Sequence, residues 1–321
     1  MFCPECGREV PEGYSFCPGC GRYVSSGYTF EQVPQESVTT TCDTGYAESK
    51  SVFDGTKLIT ALIVVMVVVA IIVLPYYYKA TQGELYGQSF YESFSGDAAG
   101  YTVISCEWYY LDGEFSCTYG VKNSDYSAHT STSRNVENWS VAVDFVEVND
   151  TVTSLESTLS KLYKQAFGTD PQADQKYADF ILAFVQGSIS YVTDQTQYHF
   201  SEYYAYPAET LKHQKGDCED TAILCATLFK QAGFTAALLT LPGHMMAGVV
   251  LTDYSAPDIG DYGEILSQTI GGKTYYACET TLDSFEHVGV SYGSHNGYMY
   301  SHYLNSGVVG QGAYTFYEVP A

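Results

Sequence analysis

Between Leu58 and Leu74 the chain carries no charged residue, and this run, dominated by Val and Ile, divides the rest into two parts that must fold apart. A membrane-crossing helix needs about 17 to 25 mostly apolar residues. Pro75 and the Tyr76-Tyr77-Tyr78 cluster extend the run into an aromatic interfacial belt, with Lys57 and Lys79 at its flanks. The expectation is a single transmembrane helix over residues 57–78 in contact with the lipid bilayer. A cleaved leader would begin near residue 1, whereas a complete cysteine motif and a linker come first here, so the span reads as a permanent anchor.

Charge bounds the partners. The net charge is -23, and from Ala80 onward 9 basic residues face 29 acidic ones. Such a surface repels a phosphate backbone, which excludes nucleic acid as a partner of the large part. The 31 tyrosines favour strands and half-buried sheet faces.

Before the apolar run stand Cys3-Pro-Glu-Cys6 and Cys17-Pro-Gly-Cys20, each followed by a glycine. Each pair turns two thiolates toward one point, and four sulfurs complete a tetrahedral Zn²⁺ shell with no open position. Residues 1–23 therefore resemble a short zinc ribbon, whose metal is structural and supplies the folding energy that so small a core lacks. Its expected role is to hold a cytoplasmic protein partner. Residues 24–56 are rich in Ser, Thr, Gly and Glu without a helical or strand period and read as a flexible linker, with Cys42 an exposed free thiol.

Zinc thiolates suit a reducing compartment. The distal part carries the sequons Asn138-Trp139-Ser140 and Asn149-Asp150-Thr151, together with two cysteines that suit an oxidising one. The expected topology is a cytoplasmic N-terminus and an extracellular distal domain at the cell membrane.

Residues 80–153 read as a β-rich outer subdomain, with strand-like alternation at Tyr101–Ser105 and again at Val141–Val146. Cys106 and Cys117 flank the turn Tyr110-Leu111-Asp112-Gly113, which sets them opposite each other. They are either a hairpin disulfide or two buried thiols. Leu155, Leu159, Leu162, Tyr163 and Phe167 recur at helical spacing, as do Phe180, Ile181, Phe184 and Val185, so two helices follow.

The chemistry lies in residues 154–321. Gly216-Asp217-Cys218-Glu219-Asp220 precedes the apolar positions Ile223, Leu224, Leu228 and Phe229, the pattern of a turn feeding a buried helix. Asp217 is a natural N-cap, and Cys218 falls in the first turn, where the helix dipole favours a thiolate. Cys225, seven residues on, is too far along the axis to bridge Cys218 and reads as core. Phe234–Leu239 reads as a strand ending at Leu241-Pro242-Gly243-His244, Met245–Leu251 as the next, and Lys273–Thr281 as a third that carries Glu279 near its end. The carboxylates Asp217, Glu219 and Asp220 read as a cap and a solvated face rather than a Ca²⁺ site, since consecutive helical residues point different ways. The acidic, Gly-rich stretch Ser255–Gln268 reads as a mobile lid.

A helix-borne Cys followed by a strand-borne His and a strand-borne acid resembles the transglutaminase-like superfamily. Gly216, Cys218 and Asp220 match its Gly-x-Cys-x-Asp block and Gly243-His244 its histidine turn, whereas Glu279-Thr280-Thr281 departs from the usual Asp-Pro-Thr. The resemblance spans about residues 175–281. It implies an α+β fold with a papain/transglutaminase-like core, in which the Cys helix packs on an antiparallel sheet. It also implies a triad of Cys218 as nucleophile, His244 as base and Glu279 as orienting acid, with Asp283 as the alternative acid. By the same analogy Gln186 is a candidate oxyanion donor beside the Cys218 amide, its ordinary alternative being a solvent-facing helical glutamine. The expected activity is acyl transfer on the amide or peptide bonds of a protein or peptide substrate outside the membrane. Hydrolysis comes first, and protein cross-linking or a non-catalytic transmembrane scaffold are the alternatives.

The doubled cysteine pairs generate a direct test. The purified chain should hold one zinc ion per molecule by elemental analysis, and Cys3→Ser or Cys17→Ser should release it.

Overall fold

The computed structural model describes residues 84–130, 134, 139–241, 243–257, 263–282, 284–292 and 315–320. The expected zinc ribbon with Cys3, Cys6, Cys17 and Cys20, the linker, the apolar run and Asp283 all lie outside these residues. Among the described residues no helix is long and apolar enough to cross a membrane.

The fold is mixed α+β. Strands β1 (Ser89–Glu92), β2 (Tyr101–Tyr110) and β3 (Gly113–Lys122) form a three-stranded sheet in the order β1-β3-β2. Leu111 and Asp112 both have positive φ, 48° and 61°, as a tight two-residue hairpin requires, and Tyr110 then pairs with Gly113. Cys106 and Cys117 are register partners, as the turn position predicts, and their sulfurs lie 3.4 Å apart as free thiols.

Helix α1 (Asn123–Thr130) leads to a 3-10 helix at Trp139–Phe145. The strand expected over Val141–Val146 does not form. Ala142 and Phe145, three apart, are the buried positions, so the segment follows a 3-10 period rather than that of a strand. Helices α2 (Asp150–Phe167) and α3 (Gln175–Ser188) bury the predicted Leu155, Leu159, Leu162 and Phe180, Ile181, Phe184 stripes. Asn149 is the N-cap of α2, accepting from the Val152 amide, and its side-chain nitrogen is buried without a partner. In the folded protein that nitrogen is shielded, so the second sequon loses its force as an argument for topology.

The chain continues through β4 (Ser190–Tyr191), the short α4 (Asp194–Gln197), α5 (Pro207–His213), β5 (Lys215–Gly216) and α6 (Cys218–Gln231). It then enters β6 (Ala236–Leu241), β7 (His244–Val250), β8 (Gly263–Ile265), β9 (Ser267–Ile270), β10 (Lys273–Cys278), β11 (Val290–Tyr292) and β12 (Thr315–Glu318). The main sheet runs β12-β6-β7-β10-β9, antiparallel throughout. Part of the stretch expected to be a mobile lid is thus strand, because β8 pairs with β11 and β9 with β10.

Helix α6 lies against β7 and β6 on one side and against α3, α2 and α5 on the other. One hydrophobic core runs from Leu85 through Trp108, Leu155, Phe184 and Leu224 to Val319, and a second, smaller one gathers Leu239, Leu241, Met246, Tyr275 and Phe316 on the main sheet. The expected boundary at residues 153/154 falls inside α2, and the first of these cores draws on residues from both sides of it. The hairpin is fastened by Trp108, which stacks on Phe115 and meets Phe184 edge-on at 5.1 Å.

Gly187 permits this close crossing, since a β-carbon there would lie 2.6 Å from the Trp108 β-carbon. Alanine in a helix gains about 1 kcal/mol over glycine, but forcing an extra carbon into a packed core costs roughly 1–3 kcal/mol. Because the obstructing atom sits next to the β2 backbone, the clash should win. Gly187→Ala should lower the unfolding free energy by up to about 2 kcal/mol in urea titration.

Candidate active site

Three elements of unlike origin meet at the start of α6. The chain reaches it through β5, which pairs parallel with β4 so that Tyr191 lies opposite Gly216. Gly216 has no substitute, because a β-carbon there would come within 2.6 Å of the Asp220 side chain folded back beneath it. Asp220 in turn accepts from the Ala205 amide at 2.7 Å and is fully buried. The Gly-x-Cys-x-Asp spacing is thus a packing relation, with Cys218 held between its two ends.

Cys218 opens α6 and is 8% exposed. Its thiol donates to Glu219 Oε2 at 3.1 Å, and the Met245 amide points at the sulfur from β7. Burial, then the charge and hydrogen bond of Glu219 and the charge of Asp217, push the thiol well above its ordinary value. The helix dipole alone would have lowered it, but burial and then the neighbouring carboxylates outweigh it.

His244 is the first residue of β7, closing against Leu241 of β6 across a turn in which Gly243 takes φ 73°. Its Nε2 meets Glu279 Oε2 at 2.8 Å, with both side chains almost fully buried. Glu279 follows the last residue of β10, and Cys278 pairs with Ala247, which sets the carboxylate beside the start of β7. The second oxygen of Glu279 accepts from the Thr281 amide and hydroxyl. Thr221, one turn beyond Cys218, bonds Thr280 hydroxyl to hydroxyl at 2.9 Å and ties the Cys helix to the acid-bearing strand. Among the described residues the structure joins His244 to Glu279 directly, whereas the thiol bond of Cys218 runs to Glu219.

Gln186, from α3, is 3% exposed and not solvent-facing. Its amide nitrogen donates to the carbonyls of Glu279 at 2.7 Å and Glu286 at 3.4 Å, and its oxygen accepts from the Glu286 amide. Both amide hydrogens are engaged, so Gln186 braces the acid strand and is not a free oxyanion donor. Tyr191, on β4 opposite Gly216, is 54% exposed; desolvation of its hydroxyl, then the charges of Cys218, Asp217, Glu219 and Glu279, raise the phenol above its ordinary value.

Sequence patterns also missed a buried acidic cluster. Asp217 occupies the N-cap position but makes no side-chain cap; its Oδ2 accepts instead from the Asp194 amide at 3.2 Å. Asp217, Glu219 and Asp220 are 9%, 4% and 0% exposed, which corrects the expectation of a solvated face. Burial and the Asp217 charge raise Asp194 to about 7, and the same two causes raise Glu219 to about 9.

Residues 163–246 match the model of the transglutaminase-like superfamily, which includes Gln186, Cys218 and His244 and stops short of Glu279. Residues 2–24 match the zinc-ribbon domain, which includes all four N-terminal cysteines. No curated protein matches the chain.

The His244–Glu279 pair has a defined pH signature. Burial opposes the charged ring, but Glu279's charge and hydrogen bond outweigh it and raise His244 above its ordinary 6.5. Burial likewise opposes ionised Glu279, but His244 and Thr281 hold it below 4.5. The Glu279 contribution to stability is fully present above pH 4.5 and is lost as pH falls through its lower folded value. The His244 contribution is fully present below 6.5 and is lost as pH rises through its higher folded value. Glu279→Gln, which leaves the buried ring unpaired, should therefore destabilise the protein more near pH 6 than near pH 9, as measured by urea unfolding at the two values.

Proposed function

We propose that this chain is a cysteine acyl-transfer enzyme that cleaves amide or peptide bonds, with Cys218 as nucleophile, His244 as base and Glu279 as the orienting acid. The supporting observation is the buried His244–Glu279 bond at 2.8 Å, held against the nucleophile helix by the Thr221–Thr280 link. With Nε2–H donated to the carboxylate, Nδ1 is the nitrogen left to accept a proton, so the acid selects the reactive tautomer.

The thiol must first leave Glu219 for the imidazole. His244 then takes its proton as the sulfur attacks the substrate carbonyl, and the oxyanion is met by the Cys218 amide, an unbonded N–H of the first helical turn. Collapse breaks the C–N bond, the amine departs with the proton from His244, and a thioester remains. Water, deprotonated by His244, releases the acid and restores the thiol. Release to an amine instead would cross-link two chains with the same residues. Hydrolysis is favoured because nothing at the site selects an amine.

The apolar run at 58–74 supports anchoring in a bilayer with the N-terminus cytoplasmic and the catalytic part outside. The four thiols within the matched ribbon support one structural zinc ion, held by Cys3, Cys6, Cys17 and Cys20. The substrate is a protein or peptide on the catalytic side, and the ribbon holds a cytoplasmic partner.

A thiol-directed electrophile should label Cys218, with peptide mapping as the readout. His244→Ala should slow labelling and hydrolysis of a peptide library by about 10²- to 10⁴-fold. Equal labelling of wild type and His244→Ala would sink the enzyme reading.

A further inference from the structure

Cys106 and Cys117 take no part in the chemistry above. The turn fixes where they stand: positive φ at Leu111 and Asp112 sets Tyr110 opposite Gly113, and the same register brings Cys106 opposite Cys117. A slip of one residue would turn one of the two to the opposite face of the sheet. Both share the buried face with Trp108, Tyr110, Phe115 and Tyr119, and their sulfurs lie 3.4 Å apart. Register partners on antiparallel strands have Cα atoms about 4.5 to 5.5 Å apart, inside the range of about 4.4 to 6.8 Å that a disulfide spans. Joining these sulfurs therefore asks for side-chain rotation rather than movement of the strands.

The pair is not sealed in the core. An open groove of about 560 Å³, between the three-stranded sheet and the end of α3, is lined by both cysteines together with Tyr91, Ser105, Gly187 and Ser190. Cys106 is 9% exposed and Cys117 1%, so Cys106 is the reachable thiol and Cys117 the shielded one. The hydrogen bond between them holds Cys106 below the ordinary thiol value against the effect of burial, and the same bond, with burial, pushes Cys117 above it. A reachable thiol with thiolate character and a second sulfur in contact with it form an attacking and resolving pair. Cysteines kept only as small apolar side chains need neither the groove nor the mutual contact.

We propose that Cys106 and Cys117 are a thiol–disulfide exchange site, which a low-molecular-weight disulfide entering the groove converts to a hairpin disulfide. The Cys106 sulfur, its proton lost to water, attacks one sulfur of the incoming disulfide; that S–S bond breaks, and the departing thiolate takes up a proton. Cys117 then loses its proton, attacks the Cys106 sulfur of the mixed disulfide and expels the second small thiolate, which is protonated in turn. Two protein thiols and one small disulfide become one protein disulfide and two small thiols. The cysteine pair gives up two electrons and the small disulfide accepts them. The product closes the loop 106–117 and locks together the two strands that Trp108 fastens to α3. The site stands without the enzyme reading, since neither Cys218 nor His244 enters it.

The full-length chain, folded and reduced, should be incubated with excess oxidised glutathione, quenched in acid, alkylated and digested with trypsin. Residues 80–122 form one tryptic peptide whose cysteines are Cys106 and Cys117, so no other thiol enters the readout. The expected product is that peptide with an internal disulfide and no alkyl group, restored to two alkylated thiols by prior treatment with dithiothreitol. The oxidised protein should melt on the order of 5 °C higher than the reduced one. Cys117→Ser should accumulate the glutathione mixed disulfide on Cys106, whereas Cys106→Ser should take up glutathione on the order of tenfold more slowly. A wild-type peptide that stays alkylated at both cysteines in the folded protein and closes only in denaturant would overturn the site, whether or not a variant folds. Equal uptake by the two variants would overturn the attacking role of Cys106.

Discussion

The structure depends on the burial of helix α6. From Cys218 to Phe229 every residue of that helix is buried, with strands β6 and β7 on one side and helices on the other. A helix enclosed in this way cannot shift without opening the core, so its first residue is held against the sheet more firmly than any loop could hold it. The site inherits that rigidity. His244 and Glu279 need only stand at the ends of the strands that already cover the helix.

The cost of this placement falls on electrostatics. Burying the N-terminus of α6 buries whatever side chains flank the cysteine, and here those are carboxylates. Burial itself and then their charges oppose thiolate formation, which reverses what the helix dipole would do in an exposed, neutral setting. The same carboxylates gather with Asp194 into a buried cluster beside Cys218, its carboxyls bonded to one another. The thiol of Cys218 is therefore governed by burial and the whole acidic neighbourhood, with Glu219 accepting its hydrogen bond.

Elsewhere polar atoms serve as fasteners. Gln186 holds the acid strand through two carbonyls and an amide, Thr221 and Thr280 close the gap between helix and strand, and Asp179 bonds both the ring of His287 and the amide of Val288. These contacts bridge segments about a hundred residues apart or link a helix to a distant strand. They leave no periodic trace in the chain, and a glutamine that braces reads from sequence the same as one that catalyses.

Local signals determined what local physics controls: the hairpin turn at Leu111-Asp112, the stripes of α2 and α3, the Gly216–Asp220 turn into a buried helix, and the strands that carry His244 and Glu279. Each depends on residues a few positions apart, so it is written in the chain at that range. Tertiary structure alone decided that Trp139–Phe145 becomes a 3-10 helix, that Leu85 through Val146 contribute to the same core as α2, α3 and α6, and that Gln186 faces the carbonyls of Glu279 and Glu286. It also decided that the carboxylates around Cys218 are buried and face Asp194. Burial and the distance between side chains far apart in sequence follow from packing, which no short window of residues encodes.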